Sequence, residues 1–264
     1  MTTPAARRKE KVRAVILVIA AGLLICFVAL VLIPIALITF FRTRRLYTAI
    51  ATRLARAILL LFGIHLVVHR DHSFPTERTV YISNHSSTLD VFVLAALGLP
   101  NTRFFLTGAR RKWIPLGIIT HLMGTFFTVP QTRPAERTRI FQRAERVLRR
   151  TGESVYLSPE GGRITTGEIG HFNKGAFHLA TALGAPIVPF YFQIPPSLDP
   201  GIGYHAKPGV VHVYVKPPIE TYAWRIEDLL RNTEDVREMF IRWHRENQEL
   251  PHGSRQSTDT AVSS

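Results

Sequence analysis

His85 and Asp90 are the pair in this chain whose types and spacing most directly suggest chemistry. They lie in Ser83-Asn84-His85-Ser86-Ser87-Thr88-Leu89-Asp90, between a β-type run (Thr79–Ile82) and an apolar, helix-type run (Val91–Leu97). An imidazole beside a carboxylate can take a proton from a hydroxyl, with the carboxylate fixing the tautomer and stabilising the imidazolium. On one straight helix, five positions turn about 500°, leaving the two side chains about 140° apart and out of reach. The spacing therefore predicts His85 in a loop and Asp90 in the first helical turn. Ser87 and Asp90 also read as a capping box, S-x-x-D before an apolar run, which predicts a helix from near Thr88.

Three further stretches place polar groups just past β-type runs. Gly124–Val129 delivers Arg133. Ser158-Pro159-Glu160-Gly161-Gly162-Arg163 puts a carboxylate, two glycines and an arginine together; glycines let backbone N–H groups approach an anion, and arginine clamps one. His171–Phe177 puts Lys174 at a helix start. Each alone reads as an ordinary turn or surface charge. In an open α/β sheet, strand ends converge on one crevice, so together they outline a site.

The elements that would position these residues alternate. Strands are predicted at Thr79–Ser83, Arg103–Thr107, Thr125–Val129, Ser154–Ser158, Pro186–Phe192 and Val210–Val215. Helices are predicted at Thr88–Leu97, Ala135–Arg150, Gly175–Leu183 and Ile226–Gln248. This is an α/β pattern with a mixed, largely parallel sheet flanked by helices. The helix at 135–150 puts Ile140, Phe141, Ala144, Val147 and Leu148 on one face and six arginines on the other, a solvated face or one that lies against anionic lipid.

Four segments follow. Residues 1–13 are basic. Residues 14–68 form an apolar anchoring region. Residues 69–250 form the catalytic-type domain, and 251–264 a polar tail of disordered composition. From Ala14 to Phe41 no residue is charged; as a helix this run is about 42 Å long, more than the ~30 Å hydrocarbon core. Pro34 is expected to kink or stop it, leaving a tilted membrane span or a broken, hairpin-like helix that dips into one leaflet. Basic residues flank the run on both sides, so the positive-inside rule selects neither orientation. The shorter apolar run Ala57–Val68 is expected at the interface or beneath the domain.

The 264 residues carry a net charge of +14, which calls for an anionic partner such as a lipid surface, a phosphorylated substrate, an acidic carrier protein or nucleic acid. The single cysteine, Cys26, excludes an intrachain disulfide and argues against a Cys-based zinc site or thiol nucleophile. There is no H-E-x-x-H, Walker loop or G-x-S-x-G elbow.

Five blocks, taken in order, resemble the glycerolipid acyltransferase family, the 1-acyl-glycerol-3-phosphate acyltransferases. N-H-S-S-T-L-D at 84–90 is similar to the family's N-H-x-x-x-x-D, and S-P-E-G-G-R at 158–163 to its F-P-E-G-T-R. The strand ending at Arg133, F-N-K-G-A-F at 172–177 and A-P-I-V-P-F-Y at 185–191 resemble three more of its blocks. Ser158 stands where the family usually has Phe, and Gly162 where it has Thr, departures that bear on pocket lining. The resemblance implies acyl transfer from acyl-CoA or an acyl carrier protein to a lysophospholipid hydroxyl, lysophosphatidic acid foremost. His85 would be the base and Asp90 its orienting carboxylate. Asn84, Arg133, Glu160, Gly161, Gly162, Arg163 and Lys174 would bind substrate, with Glu160 orienting an arginine or the glycerol hydroxyls. The oxyanion donors are left unassigned, with backbone N–H groups after His85 as candidates. No metal or bound cofactor is implied, and no nucleic acid. The expected partner is the bilayer, with the domain on the cytoplasmic face of an inner or plasma membrane. The alternatives are another acceptor (glycerol 3-phosphate, another lysophospholipid or a lyso-aminolipid), a lipid hydrolase, or a non-enzymatic basic protein at a membrane or on nucleic acid.

Overall fold

The computed structural model describes residues 4–249 except 72, 200 and 202–205; the polar tail lies outside them. Helix α1 (Pro4–Ile38) takes in the basic leader and the apolar run in one element, and it continues through Pro34 rather than stopping there. Among the described residues it is the one helix long and apolar enough to cross a membrane. Its small residues Ala21, Ala29 and Ala36 are buried, while Ile19, Leu23, Phe27, Leu30 and Leu37 stay exposed. The helix ends in a turn with Phe40 and Phe41 at positive φ. Thr39 closes that turn, with its hydroxyl 2.6 Å from the Tyr47 hydroxyl.

Helix α2 (Arg44–Leu61) follows, and its apolar stripe Tyr47, Ala51, Leu54, Ala55, Ile58 and Leu59 is buried. The chain reverses at Gly63 (φ +70) and enters β1 (Ile64–His69). The run Ala57–Val68 is thus not one segment beneath the domain. It is the end of α2 and the first strand of the sheet, so the boundary drawn at 68/69 falls inside β1. A helical stripe and a short strand abut here without a polar break, which hid both.

The remaining strands are β2 (Val80–Ser83), β3 (Thr102–Thr107), β4 (Phe126–Thr128), β5 (Ser154–Tyr156), β6 (Ile187–Gln193) and β7 (Gly209–Val215). They form one sheet in the order β1-β7-β6-β2-β5-β3-β4. Every pair is parallel except β6 with β7. The expected mixed, largely parallel sheet is therefore present, with β2–β6 running one way and β7 and β1 the other. In consequence the carboxyl ends of β2, β3, β4, β5 and β6 lie along one edge.

Helices cover both faces. One core lies between the sheet and α1, α2, α3 (Asp90–Ala96) and α4 (Ile114–Leu122). The other lies between the sheet and α5 (Pro134–Thr151), α6 (Gly175–Leu183) and α7 (Leu229–Glu249). α5 ends as expected at Gly152 in the left-handed region, φ +67. α4 and α2 were not anticipated; α4 is apolar nearly all round, without the periodicity that marks a helix in sequence.

Candidate active site

β2 is buried along its whole length, and its last residues hold the loop that follows. The Ser83 hydroxyl donates to the Asn84 carbonyl (2.8 Å) and lies 2.8 Å from the Tyr156 hydroxyl at the end of β5. The Asn84 side chain continues the β2–β6 ladder: its Nδ2 donates to the Phe192 carbonyl (3.0 Å), and its Oδ1 accepts the Phe192 N–H (2.8 Å). Asn84 is therefore a clamp between strands. The expected substrate contact is corrected, because its amide is spent on backbone.

His85 lies in the loop and Asp90 is the first residue of α3, as the spacing predicts. The His85 Nδ1 and an Asp90 carboxylate oxygen are 2.6 Å apart. That same oxygen accepts the N–H groups of Ser86 (2.8 Å) and Ser87 (3.0 Å). Asp90 is buried, with its side chain only 4% exposed, whereas that of His85 is 32% exposed. A carboxylate partner keeps the proton on Nδ1, so Nε2 is the free acceptor. The helix starts at Asp90 rather than Thr88; its N-cap residue Leu89 makes no side-chain cap bond, and Asp90 instead holds N–H groups of the loop before the helix. The N–H groups of Ser86 and Ser87 are thereby engaged, which removes them as oxyanion donors.

The Glu160 carboxylate reaches the same loop from the turn after β5. One oxygen accepts the backbone N–H of His85 (2.5 Å) and the other that of Gly170 (2.8 Å). Burial raises the Glu160 carboxyl to about 7, with the two N–H donors and the His85 charge opposing and the Asp90 charge adding to the shift. The His85 carbonyl accepts the N–H of Ile164 at 2.8 Å. Glu160 thus fixes the His85 backbone instead of orienting an arginine or a glycerol hydroxyl. Burial also raises the phenol of Tyr156.

Gly161 adopts φ +69, and a Cβ there would meet the Asn173 amide at 2.9 Å. Asn173 was not singled out by the sequence, yet it ties three loops together. Its Nδ2 donates to the Pro159 (2.9 Å) and Glu160 (3.2 Å) carbonyls, and its Oδ1 accepts from Gln131 at 2.8 Å. The segments carrying Arg133, Arg163 and Lys174 are thereby brought to one edge. All three side chains are exposed. Arg133 lies 3.5 Å from Glu136, and among the described residues none of the three is bonded to His85, Asp90 or Glu160. A Cβ on Gly162 would meet open space.

Asp199 is the other residue that local motifs did not reveal. It is buried and accepts the hydroxyls of Ser87 and Thr88 (3.1 Å for the latter) and the Gly201 N–H (2.9 Å). The Ser87 hydroxyl in turn accepts the Leu89 N–H at 2.9 Å. Thr88 and Leu89 also border an apolar cavity of about 320 Å³, whose far wall includes Ala21, Gly22 and Ile25 of α1. The arrangement can therefore place a base beside an apolar chain, with positive charge on the adjoining loops.

The family model described as Acyltransferase matches residues 65–193. A 1-acyl-sn-glycerol-3-phosphate acyltransferase of Limnanthes alba is 27% identical over 189 residues, covering 70% of this chain and 65% of that protein. The chloroplastic 1-acyl-sn-glycerol-3-phosphate acyltransferase LPAT1 of Arabidopsis thaliana is 29% identical, covering 82% and 61%. The alpha enzyme of that name from Mus musculus is 28% identical, covering 74% and 70%. The chain thus spans 65% of the length of the Limnanthes relative, slightly under two thirds. The crystal structure of the 1-acyl-sn-glycerophosphate acyltransferase PlsC from Thermotoga maritima matches with a TM-score of 0.76 at 18% identity, covering 94% of this chain and 99% of that one. That likeness is one of fold.

Proposed function

We propose that this chain is a glycerolipid acyltransferase, a reading supported by the Acyltransferase match over residues 65–193 and by the similar 1-acyl-sn-glycerol-3-phosphate acyltransferases, and that it moves a fatty acyl group from a thioester, acyl-CoA or acyl carrier protein, onto the free hydroxyl of lysophosphatidic acid, giving phosphatidic acid. The observation that carries this reading is the 2.6 Å His85–Asp90 pair with a buried carboxylate and an accessible imidazole. Nε2 takes the proton of the acceptor hydroxyl as its oxygen attacks the thioester carbonyl. The C–S bond then breaks, and the proton passes from the imidazolium to the leaving thiolate. The hydroxyl attacks directly, so no enzyme nucleophile is required. The cavity beside Thr88 and Leu89 suits an acyl chain, and Arg133, Arg163 and Lys174 suit the acceptor phosphate.

A bilayer seat fits the apolar length and exposed apolar face of α1 and would let a lysolipid reach the site without crossing water. The catalytic domain would then sit on the cytoplasmic face; vesicle flotation and protease protection test the seat and the side. The departures Ser158 and Gly162 favour a second reading, in which glycerol 3-phosphate, another lysophospholipid or a lyso-aminolipid is the acceptor. Mass spectrometry of the product from purified protein, given mixed acceptors and labelled acyl-CoA, separates these readings. Phosphatidic acid as the main product supports the first. Another acylated lipid selects the second. Salt-sensitive lipid or nucleic-acid binding with no acyl product overturns both, and so does fatty acid released without an acceptor.

A further inference from the structure

A second group of charged side chains lies away from the catalytic loop, between α2, β3 and α5. Arg103 on β3 and Arg44 on α2 both pair with the buried carboxylate of Glu153. Arg103 Nε lies 2.6 Å from that carboxylate, and its Nη1 donates to the Gly124 carbonyl at 3.1 Å. Burial, together with the charges of Arg44, Arg150 and Arg143, lowers the Arg103 guanidinium to about 10. Two guanidinium groups thus share one carboxylate, and the charges of Arg143 and Arg150 also act on Arg103. Such an excess of like charge is relieved when an anion arrives.

A cavity of about 390 Å³ opens over the edge strand β4, with Arg103, Arg111, His121, Phe127 and Arg143 in its wall. Arg111 and His121 also line a neighbouring groove of about 490 Å³, which runs between the end of α1 (Ile33, Leu37), the turn at Phe41, and α4. A polar, arginine-lined compartment and an apolar one therefore share a wall. The apolar one opens beside Ile38, Phe40 and Ile114, all more than 70% exposed. Neither compartment is lined by a residue bonded to His85, Asp90 or Glu160.

We propose that these joined cavities form a second, non-catalytic site for an anionic phospholipid, with its phosphate among Arg103, Arg111 and Arg143 and an acyl chain along the groove between α1 and α4. The charge supports an acidic headgroup over a zwitterionic one, and a phosphomonoester above others, because it presents more negative charge to guanidinium forks. The adjoining groove distinguishes a lipid from a free anion. This site does not depend on the acyl-transfer reading, and the two fail independently.

The test is photo-crosslinking of the full chain in nanodiscs with a phosphatidate bearing a diazirine in its chain, followed by peptide mapping. We expect label on Ile114–Leu122 of α4, displaced by unlabelled short-chain phosphatidate and not by the matching phosphatidylcholine. The double variant Arg111→Ala/Arg143→Ala removes two exposed arginines and should lower that label about tenfold or more, since charge-assisted bonds are lost, while label near Leu89 and acyl transfer persist. Undiminished α4 label in the double variant overturns the proposal. Equal displacement by phosphatidylcholine does the same. Displacement by inorganic phosphate at the same concentration as the lipid would make this a site for the free anion and also overturn it.

Discussion

The Glu160 carboxylate accepts the backbone N–H of His85 at 2.5 Å while Asp90 holds the imidazole of the same residue. Two carboxylates thus divide the control of one histidine, one holding its backbone and the other its ring. Glu160 is raised to about 7 mainly by burial, so folding favours its protonated form relative to the unfolded chain. The stability this contributes is full below about pH 4.5 and is lost as pH rises to about 7, a change of about 3 kcal/mol. In Glu160→Gln that slope disappears. The difference in Tm, wild type minus variant, should therefore fall between pH 4.5 and 7, measured by calorimetry at intervals across that window.

His85→Ala should lower kcat by about 10²- to 10⁴-fold, the usual contribution of a general base. The ring is partly exposed, so Tm should hardly move. Near-normal turnover would remove His85 from the mechanism.

Asp90→Asn tests the ring's orientation. An amide can present N–H to Nδ1 and stabilise the wrong tautomer, and in the analogous serine-protease dyad this costs about 10⁴ in kcat. The expected signature is a large fall in kcat with KM for the acceptor nearly unchanged. An equal rise in KM would point instead to a collapsed loop.

Asp199→Ala leaves three donors, the Ser87 and Thr88 hydroxyls and the Gly201 N–H, without their acceptor. The cost should be about 1–3 kcal/mol in stability, together with a fall in kcat. Asp199→Asn should recover part of both. If kcat holds while Tm falls, Asp199 supports the fold and not the loop geometry.

Arg163→Ala should raise KM for a phosphate-bearing acceptor with little change in kcat. The side chain is exposed, so the protein should melt as the wild type does. A phosphate-free acceptor should be indifferent to the substitution, and acceptor kinetics with both compounds check this.

Much of the site was readable from spacing because its chemistry is local: five positions separate His85 from Asp90, and a loop followed by a helix start is the geometry that lets them meet. The supports were not readable. Glu160, Phe192 and Asp199 reach this loop from far along the chain, and no local pattern reports a partner at that distance. Asn84 and Glu160 were read as substrate contacts because they sit in motifs, but burial turned them inward. The same holds for the fold. Strands bounded by turns and the apolar stripe of α5 stand out, whereas β1 is concealed by its continuity with α2, and Pro34, expected to kink or stop the first helix, does not end it.

The reversal between β6 and β7 has a consequence in time as well as in space. β1 pairs with β7, placing Ile64 opposite Gly209, so β1 must wait for a strand synthesised after the other five described ones. Until Gly209–Val215 emerge, Ile64–His69 offers a bare strand edge, and closing so long a loop carries its entropy cost before any pairing rewards it. The ribosome thus releases both functional loops, at His85 and at Glu160, before the sheet that carries them has its outer flank.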